Sequence, residues 1–148
     1  MEKLLISACL YGEKCRYDAK DNLLPCLDLL KERFILIPVC PEVTGGLETP
    51  RKPSEITGGK VVMNDGRDVT REYEKGALAA LEAALKNGCR IALMKAKSPS
   101  CGSGRIYDGT FSKVLTDGDG ITSALLKKNG IKVFDETQIF ELLEYIKA

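Results

Sequence analysis

Short apolar runs alternate with amphipathic stretches along this chain. Leu4 to Ser7 reads as a buried strand, and Phe34-Ile35-Leu36-Ile37-Pro38-Val39 as a second. Arg90-Ile91-Ala92-Leu93-Met94 reads as a third and Ile131 to Phe134 as a last, with Lys60 to Met63 a short edge strand. Between them lie helical patterns. Leu23, Leu24, Leu27 and Leu30 predict a helix over 21–33, in which Pro25 fits only the first turn. Ala77, Leu78, Leu81, Ala84 and Leu85 mark the apolar face of a longer helix over 68–87, and Gly88 supplies its C-terminal cap. Further helices are expected over 119–128 and 136–146, and Asp108-Gly109 signals a tight hairpin turn. The segment from Cys40 to about Gly59, rich in Gly and Pro, has no clear period.

Apolar strands separated by helices predict an α/β fold, with a mostly parallel sheet covered by helices on both faces. The right-handed crossover rule makes a Rossmann-like, doubly wound arrangement the expected one, as a single domain over 1–148. In such sheets ligands collect beyond the carboxyl ends of the strands.

Composition narrows the chemistry. The formal charge is +1, so no chain-wide basic field favours nucleic acid. No run approaches the roughly 20 apolar residues that span a bilayer, and the N-terminal run is too short for a signal peptide. A cytoplasmic protein is expected, and in that reducing compartment its six cysteines read as ligands, reactive groups or small hydrophobes in preference to disulfides. The chain has no histidine. That excludes Ser-His-Asp and Cys-His nucleophile pairs and any imidazole-bound zinc. Proton transfer falls to Glu, Asp, Lys, Tyr, Cys or water.

Three cysteines follow the first three long strands: Cys9 in Ser7-Ala8-Cys9, Cys40 in Val39-Cys40-Pro41-Glu42, and Cys101 in Lys97-Ser98-Pro99-Ser100-Cys101-Gly102. If those strands are parallel neighbours about 4.8 Å apart, the three thiols share a crevice spanning about 10 Å. Thiolates suit zinc and iron–sulfur clusters alike. A structural zinc wants four closed ligands, often in Cys-x-x-Cys pairs, and no such pair occurs here. Three scattered thiolates would leave one metal position open, which is a catalytic arrangement. Glu42 stands where a general base is needed, and the hydroxyls of Ser98 and Ser100 are candidate donors. Gly102 and Gly104 would let backbone N–H groups approach a cluster sulfide or an anion. Cys26 and Cys89 read as buried small hydrophobes. Cys15 is a reactive thiol, a spare ligand or a bystander, and Arg51 either caps the crevice or faces water. Besides an enzyme, the residues admit a module that holds zinc and binds an anion or nucleotide, or a metal-free thiol sulfur carrier.

Five segments in order, "SACLYGEKCRYD", "CPEVTGGLETPRKPSEI", "GRDVT", "KSPSCGSGRIYDGTF" and "GITSALL", resemble the thiouracil desulfidase family over about Leu5 to Phe134. The resemblance implies a 4Fe–4S cluster on Cys9, Cys40 and Cys101, with Glu42 as the catalytic carboxylate and Ser98 as the active-site serine. It implies hydrolytic removal of sulfur from a 2- or 4-thiouracil type of pyrimidine, releasing sulfide. An open iron polarises the C–S bond, Glu42 activates water, and Ser98 hydrogen-bonds the ring or the developing charge. Tyr11 replaces a usual aliphatic residue and Ala19 a usual glycine, both beside the first loop. Larger relatives append a second domain, so a free base is the expected partner here and tRNA is not.

Overall fold

The structure, a computed structural model, describes residues 1–147. Four strands form the central sheet: β1 (Glu2–Ser7), β2 (Phe34–Val39), β5 (Ile91–Met94) and β8 (Lys132–Asp135). Their order is β2-β1-β5-β8 and every neighbouring pair is parallel. Two antiparallel pairs stand apart from it, β3 (Ser54–Thr57) with β4 (Lys60–Met63), and β6 (Arg105–Tyr107) with β7 (Leu115–Asp117). The helices are α1 (Leu27–Arg33), α2 (Pro41–Thr44), α3 (Thr70–Asn87), α4 (Ile121–Lys128) and α5 (Ile139–Lys147).

Side chains alternate across β1, and the two faces build separate cores. Leu4 and Ile6 join Leu27, Leu30, Leu93, Phe134 and Leu142, under α1 and α5. Leu5 joins Leu81, Ala84, Ala92, Met94 and Leu126, under α3 and α4. This is the doubly wound arrangement expected from the alternation of elements. A third cluster of Leu47, Val61, Met63, Val69 and Tyr73 fastens the β3–β4 hairpin to the start of α3.

Local differences from the sequence pattern have physical causes. The first helix begins at Leu27, not near Asp21. Leu24 precedes Pro25, which disfavours helical backbone there, and its N–H bonds the carbonyl of Leu10 at 3.0 Å instead. The Asp108-Gly109 pair does not make a two-residue turn, because Tyr107 pairs with Leu115 and leaves 108–114 as a longer loop. Its N–H groups are spent elsewhere: those of Gly109 and Phe111 donate to the buried Glu55 carboxylate at 3.0 and 3.2 Å. Gly88 caps α3 with left-handed backbone (φ 70°), as its position predicts. No helix among the described residues is long and apolar enough to cross a membrane.

Candidate functional site

The sheet order decides where the cysteines go. β1 lies between β2 and β5, so Cys9, Cys40 and Cys101 follow three adjacent parallel strands. The Ala8 N–H bonds the carbonyl of Val39 at 2.7 Å, which carries the β1–β2 ladder on to the doorstep of Cys9 and Cys40. The chain after β1 then coils back on itself, with Leu10 N–H on Ser7 and Gly12 N–H on Cys9. Cys40 is the N-cap residue of α2 and Pro41 takes the first helical position, where a missing N–H costs nothing. Cys101 lies in the loop after β5, and its carbonyl accepts a 2.6 Å bond from the Ser123 hydroxyl at the start of α4.

The three thiols feel one another. Burial raises the Cys9 thiol, and the neighbouring Cys40 raises it further. Burial pushes Cys101 up to about 12, with Cys9, Glu42 and Cys40 adding to the rise. Cys40 differs because the neighbouring Cys15 thiol lowers it, and the same pairing raises Cys15. Among the described residues, no three Cys, Asp or Glu side chains converge tightly enough to hold one metal ion.

Glu42 sits on the first turn of α2, two residues beyond Cys40. Its Oε1 accepts a 2.5 Å bond from the Tyr73 hydroxyl on α3 and pairs with Arg51 Nε at 3.4 Å. Among the described residues, Oε2 accepts none. The Arg51 side chain is only 3% exposed. It also donates to the Cys15 carbonyl at 2.8 Å, the Glu48 carbonyl at 3.1 Å and the Thr49 hydroxyl at 3.0 Å. Of its two expected positions, Arg51 thus takes the one inside. Ser98 Oγ accepts from the N–H groups of Ser100 and Cys101 at 3.1 and 3.0 Å, which shapes the loop that presents Cys101.

The remaining candidates divide. Cys15 lies in the first loop, with Cys40 Sγ 3.9 Å from its carbonyl oxygen. Cys89 is buried in the second core, and Cys26 packs against the first. The glycine N–H groups after Cys101 are already used: Gly102 bonds Ser98, and Gly104 bonds the Asp119 carboxylate. They offer no cradle for an anion. Ala19, standing where glycine is usual, has left-handed backbone (φ 62°), which explains the glycine. A shallow depression of about 390 Å³ beside Met1, Lys3 and Arg90 lies at the opposite ends of the strands and includes none of these residues.

Sequence reasoning missed four neighbours. Tyr73 lies on the buried face of α3, where an aromatic residue reads as core. Lys95 and Glu136 form a 2.6 Å ion pair at the ends of β5 and β8, and both bear on the Cys9 thiol. Asn22 lowers that thiol, its N–H bonds the Cys9 carbonyl at 2.9 Å, and its Oδ1 accepts from Arg16 at 2.8 Å. Each is a single polar residue in a loop or on a helix, without a spacing signal.

Known proteins resemble this chain over nearly its whole length. A solved structure of a [4Fe-4S]-dependent thiouracil desulfidase, TudS, superposes with a TM-score of 0.93 at 47% identity, over 99% of each chain. The uncharacterised protein YbbK of Bacillus subtilis (strain 168) is 39% identical over 150 aligned positions, covering 95% of this chain and 99% of its own. The family model described as 2-thiouracil desulfurase matches residues 4–138, a span that takes in all three strand-end cysteines, Glu42 and Ser98. By that span and that likeness, the chain belongs to the 2-thiouracil desulfurase family.

Proposed function

We propose that this protein is a [4Fe-4S]-dependent desulfidase that hydrolyses the C–S bond of a thiolated pyrimidine, of the 2- or 4-thiouracil type, and releases sulfide. The observation that carries this reading is the meeting of Cys9, Cys40, Cys101 and Glu42 beyond the carboxyl ends of β1, β2 and β5. The donor set fits the cluster. Three buried or half-buried thiols crowd one another and a carboxylate, which disfavours three bare thiolates and suits a strongly positive guest. Cys9, Cys40 and Cys101 would hold it, and with one iron left free of cysteine it would supply Lewis acidity toward the thiocarbonyl sulfur.

The chain's own residues supply the rest. Glu42 Oε2 takes the proton of a water that attacks the ring carbon, while Oε1 stays engaged with Tyr73 and Arg51. Ser98 holds its lone pairs toward two backbone N–H groups, so its own proton is free to reach the ring or the charge that develops on it. Water's oxygen replaces sulfur on carbon, and no electron donor is needed. The expected partner is the free thiolated base.

Anaerobic reconstitution followed by iron, sulfide and turnover assays tests the proposal. A brown protein with about four irons per chain that forms uracil and sulfide from thiouracil is the expected result. Glu42→Gln should keep the cluster absorption and lose on the order of 10²-fold or more in kcat. A colourless protein holding one zinc per chain, or a metal-free one with a reactive thiol, would overturn the proposal. Full activity in Glu42→Gln would remove Glu42 from it.

A further inference from the structure

The mechanism above uses one oxygen of Glu42 and leaves open why that oxygen is the one available. Oε1 is held by two donors from different elements, Tyr73 from α3 and Arg51 from the segment before β3. Both donors are inside the protein: Tyr73 is 1% exposed and the Arg51 side chain 3%, against 20% for Glu42. Tyr73 is held in the third core, and burial together with the neighbouring carboxylate keeps its phenol in the protonated, donating form. Arg51 is fixed through three further acceptors, the carbonyls of Cys15 and Glu48 and the hydroxyl of Thr49, and its own N–H bonds the Tyr17 carbonyl at 2.7 Å.

From this geometry we infer that Tyr73 and Arg51 are positioning residues for the reaction: they lock one carboxylate oxygen of Glu42 so that the other alone exchanges protons. The inference rests on the proposed role of Glu42. A free carboxylate rotates about its last bond, and its two oxygens trade places. Two buried donors on one oxygen remove that freedom and hold the second oxygen in one direction. The arrangement also joins the base to the thiols, because the guanidinium that pairs with Glu42 grips the carbonyl of Cys15, which lies against Cys40 Sγ. Buried arginine is retained only where it is fully paired, and here the pairing runs through the base and the first loop at once.

Tyr73→Phe keeps the ring and removes one donor. The expected result is a kcat lower by about 10²-fold with KM within about twofold, and with iron content and cluster absorption unchanged. A second reading does not depend on turnover. Crystals of the cluster-free native protein should show the Glu42 carboxylate in one conformer, and those of Tyr73→Phe should show it in more than one. One conformer in both proteins, or a fully loaded variant with kcat within twofold of native, overturns the inference. If Tyr73→Phe does not fold, Arg51→Lys undergoes the same two measurements with the same expectations, since lysine keeps the charge and loses the fork. A native, fully loaded protein that releases no sulfide would sink the proposed function by itself, and the conformer comparison would still decide the question of positioning.

Discussion

A serine hydroxyl has two lone pairs and one proton, and at Ser98 the lone pairs are both engaged by the N–H groups of Ser100 and Cys101. The residue therefore has two separable jobs, shaping the Cys101 loop and donating outward. Ser98→Ala loses both, so the cluster-free protein should lose about 1 kcal/mol in urea unfolding, and the loaded protein on the order of 10²-fold in kcat. Ser98→Thr keeps the hydroxyl and should recover the stability. Equal unfolding midpoints for native and Ser98→Ala would show that the two backbone bonds count for nothing. At this scale, sequence reading worked where residue type and place coincide. Cys9, Cys40 and Cys101 stand out because each follows an apolar strand, and Glu42 because it trails Cys40 by two positions. Tyr73 is illegible for the opposite reason. On a helix face made of Ala and Leu its ring looks like packing, and only the fold brings its hydroxyl to a residue thirty-one positions away.

Helix α2 is a single turn, too short to hold its own shape. What aims Cys40 and Glu42 is its contact with α3, and that contact is made of backbone. A Cβ on Gly76 would stand 1.7 Å from the Pro41 carbonyl oxygen, and one on Gly45 would stand 1.9 Å from that of Glu72. Gly76→Ala, a favourable change by helix propensity alone, should therefore destabilise the protein by about 1–3 kcal/mol. It should also lower the iron retained per chain, because α2 must move away with Cys40. Urea unfolding and iron analysis of the anaerobic variant check both, and native values for each would mean that the two helices have room to spare. The long helix itself was plain in the sequence, since Ala77, Leu81 and Ala84 recur at helical spacing on its buried face and Gly88 closes it, although Leu78 and Leu85, read onto that face, are exposed. Its glycine contact was not, because a mid-helix glycine looks like a weakness until its neighbour is known. Strand β3 was hidden in the same way, inside a segment whose Gly and Pro residues mask four residues that pair with β4.

For the molecule as a whole, alternation of strand and helix was enough to give the class, whereas the handedness rule prunes topologies without choosing among them. The choice made here puts β1 in the middle, with the chain departing to β2 on one side and to β5 on the other. The crevice at that switch point is where the three thiols come together, carried by parts of the chain that are remote from one another in sequence. Two consequences follow for stability. Both cores are built mainly of residues outside the thiol site, with Cys101 in one and Cys9 packed against the other, so the cluster-free chain should fold and melt cooperatively. A cluster bound by Cys9, Cys40 and Cys101 exists only in the folded state, so its binding free energy adds to folding. At an effective excess of a thousandfold over Kd that is about 4 kcal/mol, or roughly 10 °C in Tm for a chain of this length. Anaerobic calorimetry on one preparation, before and after the cluster is bleached in air and its iron removed, reads the difference without any substitution. A loaded protein that melts higher by about that amount, and falls back when bleached, ties all three strand ends to the group. Coincident melting of the loaded and bleached forms would mean that the cluster hangs from the surface by fewer ligands, and the assignment of Cys9, Cys40 and Cys101 as a set would fail.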